Sequence, residues 1–350
     1  MSLDLNDGAS DAVTPASIHI LTPRFILEQH GRGEFSGELR AATLFVDISG
    51  FSAMVDTLMA HGQHGAEVAA DIMRAVLEPV IDTVFSYRGF VSNQAGDAVT
   101  AIFPADKGGD DRAALQAALA AAARIQTIRK SHTDHESPYG SFAIGVKIGL
   151  AAGPVEWGIV RSTDDRRAMY YFRGPAIDAC ADAEHQAKAG DIVLAPGVEE
   201  RAREFATVDV SGGAARVVAV ADDLPAPIVP QLPPPDLDLM ARYFPLSVLT
   251  QEYSGEFRWV VNVFVALPTV RTTVQLHTFM QTVFELQGRY GGFVNRLDFG
   301  DKGANLLIFW GAPVAHENDI QRALEFLLDL QTRTSIPVSA GVSYRISHAG

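Results

Sequence analysis

The sequence predicts an α+β fold that occurs twice along the chain, each copy an antiparallel-containing sheet with helices on one face. Three observations predict it. Apolar runs of strand length alternate with longer helical patterns in the order strand, helix, hairpin, helix, strand, a βαββαβ-like layout. Six prolines between Leu224 and Asp236 make a stretch through which neither sheet nor helix continues, so it reads as an extended linker. Beyond that linker the motifs of the first part return in the same order.

The elements follow from local pattern. Residues 1–17 are small and polar and read as a flexible tail, and the first domain spans 18–221. Residues 41–46 form an apolar strand that stops at Asp47-Ile48-Ser49-Gly50-Phe51. Val68, Ile72, Val76, Val80 and Val84 then recur every four residues, one face of a long helix that Pro79 is expected to kink or divide. Phe90-Val91 and residues 98–103 read as two short strands around the turn Gln94-Ala95-Gly96-Asp97. A polar loop from Lys107 to Asp111 leads into an Ala-rich helix over about 112–129. Residues 131–141 read as a loop, and 142–151 as a strand ending at Gly153-Pro154. The linker occupies 222–240 and the second domain 241–350.

Composition bounds the function. The chain has 350 residues, and at 47% apolar it can bury a sizeable core. With 28 basic against 42 acidic residues the net charge is −14, which argues against nucleic acid or an anionic membrane as a partner. Cys180 is the one cysteine, so an intrachain disulfide framework and a Cys-rich zinc site are excluded. No signal peptide opens the chain and no run of ~20 apolar residues spans a membrane, so a soluble cytoplasmic protein is expected.

The repeat is specific. Glu34-Phe35-Ser36-Gly37-Glu38-Leu39-Arg40 returns as Glu252-Tyr253-Ser254-Gly255-Glu256-Phe257-Arg258, each leading into a strand. Arg88-Gly89-Phe90-Val91 returns as Gly291-Gly292-Phe293-Val294. Ala118-Leu119 and Gln126 return as Ala323-Leu324 and Gln331, and Gly149-Leu150 as Gly341-Val342. In that register Gly350 matches Gly158, so the second copy lacks a counterpart of roughly residues 159–220. The expectation is an N-terminal fragment of a longer protein, or an incomplete second domain.

Asp47 and Asp97 carry the chemistry. Singly, Asp47 reads as a helix cap and Asp97 as a turn residue. In a βαββ layout their strands lie side by side, and two carboxylates with a backbone carbonyl suit Mg²⁺ sharing its shell with phosphate. The amides of residues 48–52, turning into a helix, can cradle a polyphosphate.

With these residues in view, Phe45-Val46-Asp47-Ile48-Ser49-Gly50-Phe51 followed by Ala95-Gly96-Asp97-Ala98 resembles the class III nucleotidyl cyclases. The tandem layout, with Asp298-Phe299-Gly300-Asp301-Lys302-Gly303 in the second copy, resembles the soluble adenylyl cyclases that carry two catalytic domains on one chain. The resemblance implies ferredoxin-like cyclase homology domains paired within one chain, with a shared site between them. It implies conversion of ATP to 3′,5′-cyclic AMP and pyrophosphate with two Mg²⁺ or Mn²⁺ ions. Asp47, Asp97 and the carbonyl of Ile48 fall on the metal positions, and Ser49, Gly50, Phe51 and Ser52 on the phosphate-binding turn.

The copies differ in what they retain. Ala266, or Val265 one register away, stands where Asp47 would fall, and neither binds a metal. Arg296 or Lys302 takes the place of the base-binding lysine in the second copy, with exposed hairpin charge as the plain alternative. In the first copy that lysine is Asn93, and the transition-state Asn and Arg positions fall on Asp178 and Asp182. Acids there would repel a triphosphate, so this junction reads as a second, degenerate pocket. Asn93 and Ala181 also replace the two basic residues through which animal relatives bind bicarbonate. Arg166 and Arg167 lie near a phosphate-binding arginine of the family by a loose alignment. The competing expectation is a catalytically degenerate cyclase-like module that binds nucleotide or controls a C-terminal effector region.

Overall fold

The computed structural model describes residues 21–130, 133–231, 233–234, 236–250, 256–300 and 303–349. The expected tail, repeat residues 252–255, Asp301, Lys302 and Gly350 lie outside the described residues.

In chain order the first half forms α1 (Arg24–Gly31), β1 (Ser36–Ser49), α2 (Phe51–Met59), α3 (Gly62–Ser86), β2 (Phe90–Ala95), β3 (Ala98–Pro104), α4 (Arg112–Lys130), β4 (Asp134–Ser137), β5 (Gly140–Ala143), β6 (Gly145–Arg161), β7 (Ala168–Arg173), α5 (Pro175–Glu184), β8 (Ile192–Leu194), α6 (Glu199–Ala202), β9 (Ala206–Asp209) and β10 (Ala215–Val220). The sheet runs β2-β3-β1-β6-β8-β10-β9, with β7 on the far part of β6. β1 lies antiparallel to both β3 and β6, while β8 joins β6 in parallel.

Alternation along β1 decides what covers each face. Thr43 and Gly149 face α5. Thr43 Oγ1 donates to the Ala176 carbonyl at 2.8 Å, and a Cβ on Gly149 would stand 1.9 Å from the Cys180 carbonyl oxygen. Leu44 and Leu150, opposite each other and fully buried, point to the other face, where α3 and α4 of the βαββαβ unit pack.

Local expectations are corrected at three places. Pro79 does not divide α3, because Ile72, Val76, Val80 and Val84 are buried on one side and hold the helix together. The strand expected to end at Gly153-Pro154 runs from Gly145 to Arg161. Pro154 faces Arg40 and stands in the outer-edge gap between β8 and β7, where a missing N–H is tolerated. The expected loop over 131–141 contains β4, which pairs with β5 as a separate hairpin.

The second half forms α7 (Leu237–Met240), α8 (Leu246–Leu249), β11 (Glu256–Leu267), α9 (Thr273–Tyr290), β12 (Phe293–Gly300), β13 (Gly303–Trp310), α10 (Asp319–Arg333) and β14 (Ser339–Ala349). Its sheet is β12-β13-β11-β14. The registers of the halves coincide: Phe45 lies opposite Gly149 as Phe264 lies opposite Gly341. Val160, Met169 and Tyr171 of the first half enter the second half's core, where β7 meets β12. Among the described residues no helix is long and apolar enough to cross a membrane.

Candidate active site

β1 delivers Asp47 near its C-terminal end, directly opposite Ala98 of β3 and Lys147 of β6. Asp97 immediately precedes Ala98 in the tight β2–β3 turn, where Gly96 takes φ 64°. The two carboxylates therefore share one end of neighbouring strands. Burial, and then the charge of Asp47, raise the Asp97 carboxyl above its ordinary range, against the pull of its own backbone N–H and of Lys147.

Lys147 is the site residue that sequence reasoning missed. Its Nζ lies 2.7 Å from Asp47 Oδ2 and 2.5 Å from Glu184 Oε1 at the end of α5. Burial alone would lower the ammonium, but hydrogen bonds to Asp47 and Glu184 and their charges outweigh it, so its pKa is raised. The Glu184 side chain is only 3% exposed, so without Lys147 this buried charge would be left with the distant His185 imidazole, 4.0 Å away, as its nearest basic group. A lysine between Val146 and Ile148 in an apolar strand was the available signal, since such a charge needs a partner. Asp47, Asp97 and Glu184 against Lys147 leave two negative charges in the cluster.

Beyond Asp47 the chain turns sharply. Gly50 takes φ 91°, and a Cβ there would stand 2.6 Å from the Ala143 carbonyl oxygen, so glycine alone fits. α2 starts at the next residue, with no side chain capping its first amides. Ile48 is buried, Phe51 half-buried and Ser52 exposed, and Ser49 Oγ is buried without a hydrogen-bond partner. Among the described residues no group of three or more His, Cys, Asp or Glu side chains is arranged to hold a metal ion. Asp47 and Asp97 are oxygen donors of the type a hard divalent cation takes, and Asp47 is engaged by Lys147.

Among the described residues the second half shows no counterpart of this cluster. Ala266 lies opposite Ser339 and Asn305, as Asp47 lies opposite Lys147 and Ala98. Strand pairing thus selects Ala266 over Val265, and Ala304 takes the register of Asp97. Arg296 crosses to the first half, donating to the Gln94 carbonyl at 2.7 Å. Beside it the Asn93 amide donates to both carboxylate oxygens of Asp298 at 3.0 Å. Both contacts border a cavity of about 770 Å³ between the halves, whose lining includes Phe45, Gly96, Tyr171, Asp178, Asp182 and Phe299. Burial first, and then Asp182, raise the Asp178 carboxyl.

The remaining candidates fall elsewhere. Arg166 and Arg167 line a small notch with Arg242 at the opposite end of β6 from Lys147. His61 stacks on Tyr139 and His64 hydrogen-bonds its hydroxyl. Cys180 is buried, which pushes its thiol up to about 12 and leaves it inert. Trp157 and Trp310 are core residues, whereas Trp259 lies exposed against Tyr344.

No protein-family model and no curated protein sequence matches the chain. Solved structures do. A class III adenylyl cyclase-like ATP-binding protein from Pseudomonas aeruginosa aligns over 89% of this chain and 76% of its own, at 10% identity and a TM-score of 0.54. The adenylyl cyclase CyaB from P. aeruginosa aligns over 54% of this chain and 96% of its own, at 17% identity and TM-score 0.40. The guanylate cyclase domain of RhGC from Catenaria anguillulae, in complex with GTP, covers 53% and 100%, at 16% and 0.41. The fold is that of the class III nucleotidyl cyclase domains.

Proposed function

We propose that the chain is a class III nucleotidyl cyclase in which the first half supplies the phosphate and metal side of a nucleoside triphosphate site facing the second half. The observation that carries this reading is the placement of Asp47 and Asp97 at one end of two neighbouring strands, beside the turn at Gly50. The reaction is an in-line displacement at the α-phosphorus by the ribose 3′-hydroxyl, with pyrophosphate leaving. Two divalent ions, Mg²⁺ or Mn²⁺, held by Asp47, Asp97 and the Ile48 carbonyl, would supply charge neutralisation and activation of that hydroxyl. Lys147, held between Asp47 and Glu184, adds a cation to this end of the sheet, and the uncapped amides at the start of α2 would receive phosphate oxygens. Arg296, which reaches from the second half to the Gln94 carbonyl, would serve as a base- or ribose-side group, and Lys302 is its alternative.

ATP is the substrate assigned by the likeness to tandem soluble adenylyl cyclases. The test is formation of cyclic nucleotide from ATP and from GTP with Mn²⁺, by the parent and by Asp47→Ala. Cyclic AMP from the parent alone is expected, and equal rates in both proteins overturn the assignment.

A second reading is a catalytically degenerate cyclase-like module, favoured by Asp178 and Asp182, which stand in the cavity wall where the family resemblance puts transition-state groups. The P. aeruginosa structure described above is that of a class III adenylyl cyclase-like ATP-binding protein. Saturable ATP binding with no cyclic product in the same assay would select it.

A further inference from the structure

We propose that the notch between the β6–β7 turn, the chain just beyond α7 and the last turn of α9 binds a small protonated oxyanion, inorganic hydrogen phosphate being the simplest. It lies at the opposite end of β6 from Lys147 and does not rest on the nucleotide reading.

The notch has a volume of about 190 Å³, and Arg166, Arg167, Arg242 and Gln287 line it. Phe284 and Val294, both buried, add an apolar lining that strengthens the field of charges beside it. Three arginines thus border one small space in a chain whose net charge is −14. Asp165 accepts from Arg161 and Arg242, and Asp164 lies 3.8 Å from Arg166. Arg167 is half-buried and, among the described residues, has no acidic partner within 4 Å. Two acids against four arginines leave two positive charges. The backbone around them is fixed. Arg167 N–H donates to Ser162 Oγ at 2.9 Å, its carbonyl accepts from Ser162 N–H at 2.8 Å, and Ala168 N–H donates to the Arg242 carbonyl at 2.7 Å.

The negative end of α9 accounts for one cation, since a Cβ on Gly288 would stand 3.8 Å from Arg167 Nη1. It does not account for three. Gln287 decides which oxyanion fits. Its Nε2 donates to the Gly292 carbonyl at 3.0 Å, which fixes the amide with its oxygen at the other end. Among the described residues that Oε1 is buried without a donor. The matching ligand offers oxygens to the arginines and an O–H to Gln287. Hydrogen phosphate offers both near neutral pH, whereas sulfate is fully deprotonated and has no hydrogen to donate.

The test is titration of inorganic phosphate, and of sulfate at matched ionic strength, into the full chain near neutral pH. Calorimetry and the arginine Nε–Hε NMR signals are the readouts. Saturable phosphate binding that shifts the Arg167 signal is expected, with sulfate about fivefold weaker or more. Arg167→Gln should weaken phosphate by about tenfold or more. Arg166→Gln, at an exposed position, should weaken it while leaving the unfolding midpoint unchanged. Gln287→Leu should bring phosphate and sulfate to within about twofold of each other. Lys147→Met combined with Glu184→Gln should bind phosphate like the parent, which separates the notch from the nucleotide site. No saturable binding, equal affinity for sulfate, an affinity untouched by both arginine changes, or its loss in the Lys147 combination would each overturn the proposal.

Discussion

In the first half Leu119 and Leu150 are sealed beneath completed structure, while their counterparts Leu324 and Val342 in the second lie about half exposed. Strand register is the same in both halves, down to Phe45 opposite Gly149 and Phe264 opposite Gly341. The contrast at the site runs the other way. Asp47 is met by Lys147 in the first half, and at the same register Ala266 is met by Ser339. The packing positions of the repeat recur in both halves, while among the described residues the charged cluster stands in the first half only. Apolar pattern therefore reports the fold a segment is built for, and charge reports which half carries the candidate site.

The largest effect that would break this comparison is catalytic. Asp47→Ala should cut divalent-dependent cyclic nucleotide formation by at least about 1000-fold, equivalent to about 4 kcal/mol of transition-state stabilisation. Ala266→Asp should leave the rate within about twofold, because Ser339 offers no compensating cation at that register. A large response to the second change would show that the second half also handles phosphate.

Lys147→Met should destabilise the fold by about 3 kcal/mol in urea unfolding, since Glu184 is left buried without its lysine. Adding Glu184→Gln should restore most of that, while Ser339→Met in the second half should have no measurable effect. Failure of the double variant to recover would mean that Lys147 matters for packing and not for charge. Leu119→Ala should cost about 2–5 kcal/mol against less than about 0.5 kcal/mol for Leu324→Ala. Gly149→Val should cost about 1–3 kcal/mol by driving α5 off the sheet, and Gly341→Val close to nothing. Equal costs in either pair would mean that the second half is covered in solution.

The smallest effect concerns the cavity between the halves. The Asp178 carboxyl is raised by burial and then by Asp182, so the native state holds a proton that the unfolded chain has already released. Its contribution to stability therefore falls as pH rises from the ordinary carboxylate range through the raised native value. Asp182→Asn should lower the Asp178 titration midpoint in carboxyl-detected NMR, and an unchanged midpoint would leave burial as the sole cause.

Legibility in the sequence followed locality. Asp47 and Asp97 could be read because each ends or begins a strand, in a turn whose chemistry is local. Lys147 with Glu184 could not, because the pair exists only once α5 lies across β6. The choice between Val265 and Ala266 was open for a related reason. Adjacent strand residues face opposite ways, and only ladder pairing fixes which one stands at the site. Pro79 leaves its helix undivided and Pro154 does not end its strand, because local proline rules yield to buried helix packing and to a gap in strand pairing.

By itself the sequence determined the α+β class, the repeat, the two aspartates and the absence of an aspartate at the position of Asp47 in the second copy. Those depend on periodicity and on short motifs, which neighbours along the chain suffice to define. The tertiary structure decided that Lys147 and Glu184 join the aspartates, that Arg296 and Asn93 stitch the halves together, and that Gly341 faces open space where Gly149 is closed. Each depends on which strand or helix lies alongside, a property of long-range packing that no local window of residues contains.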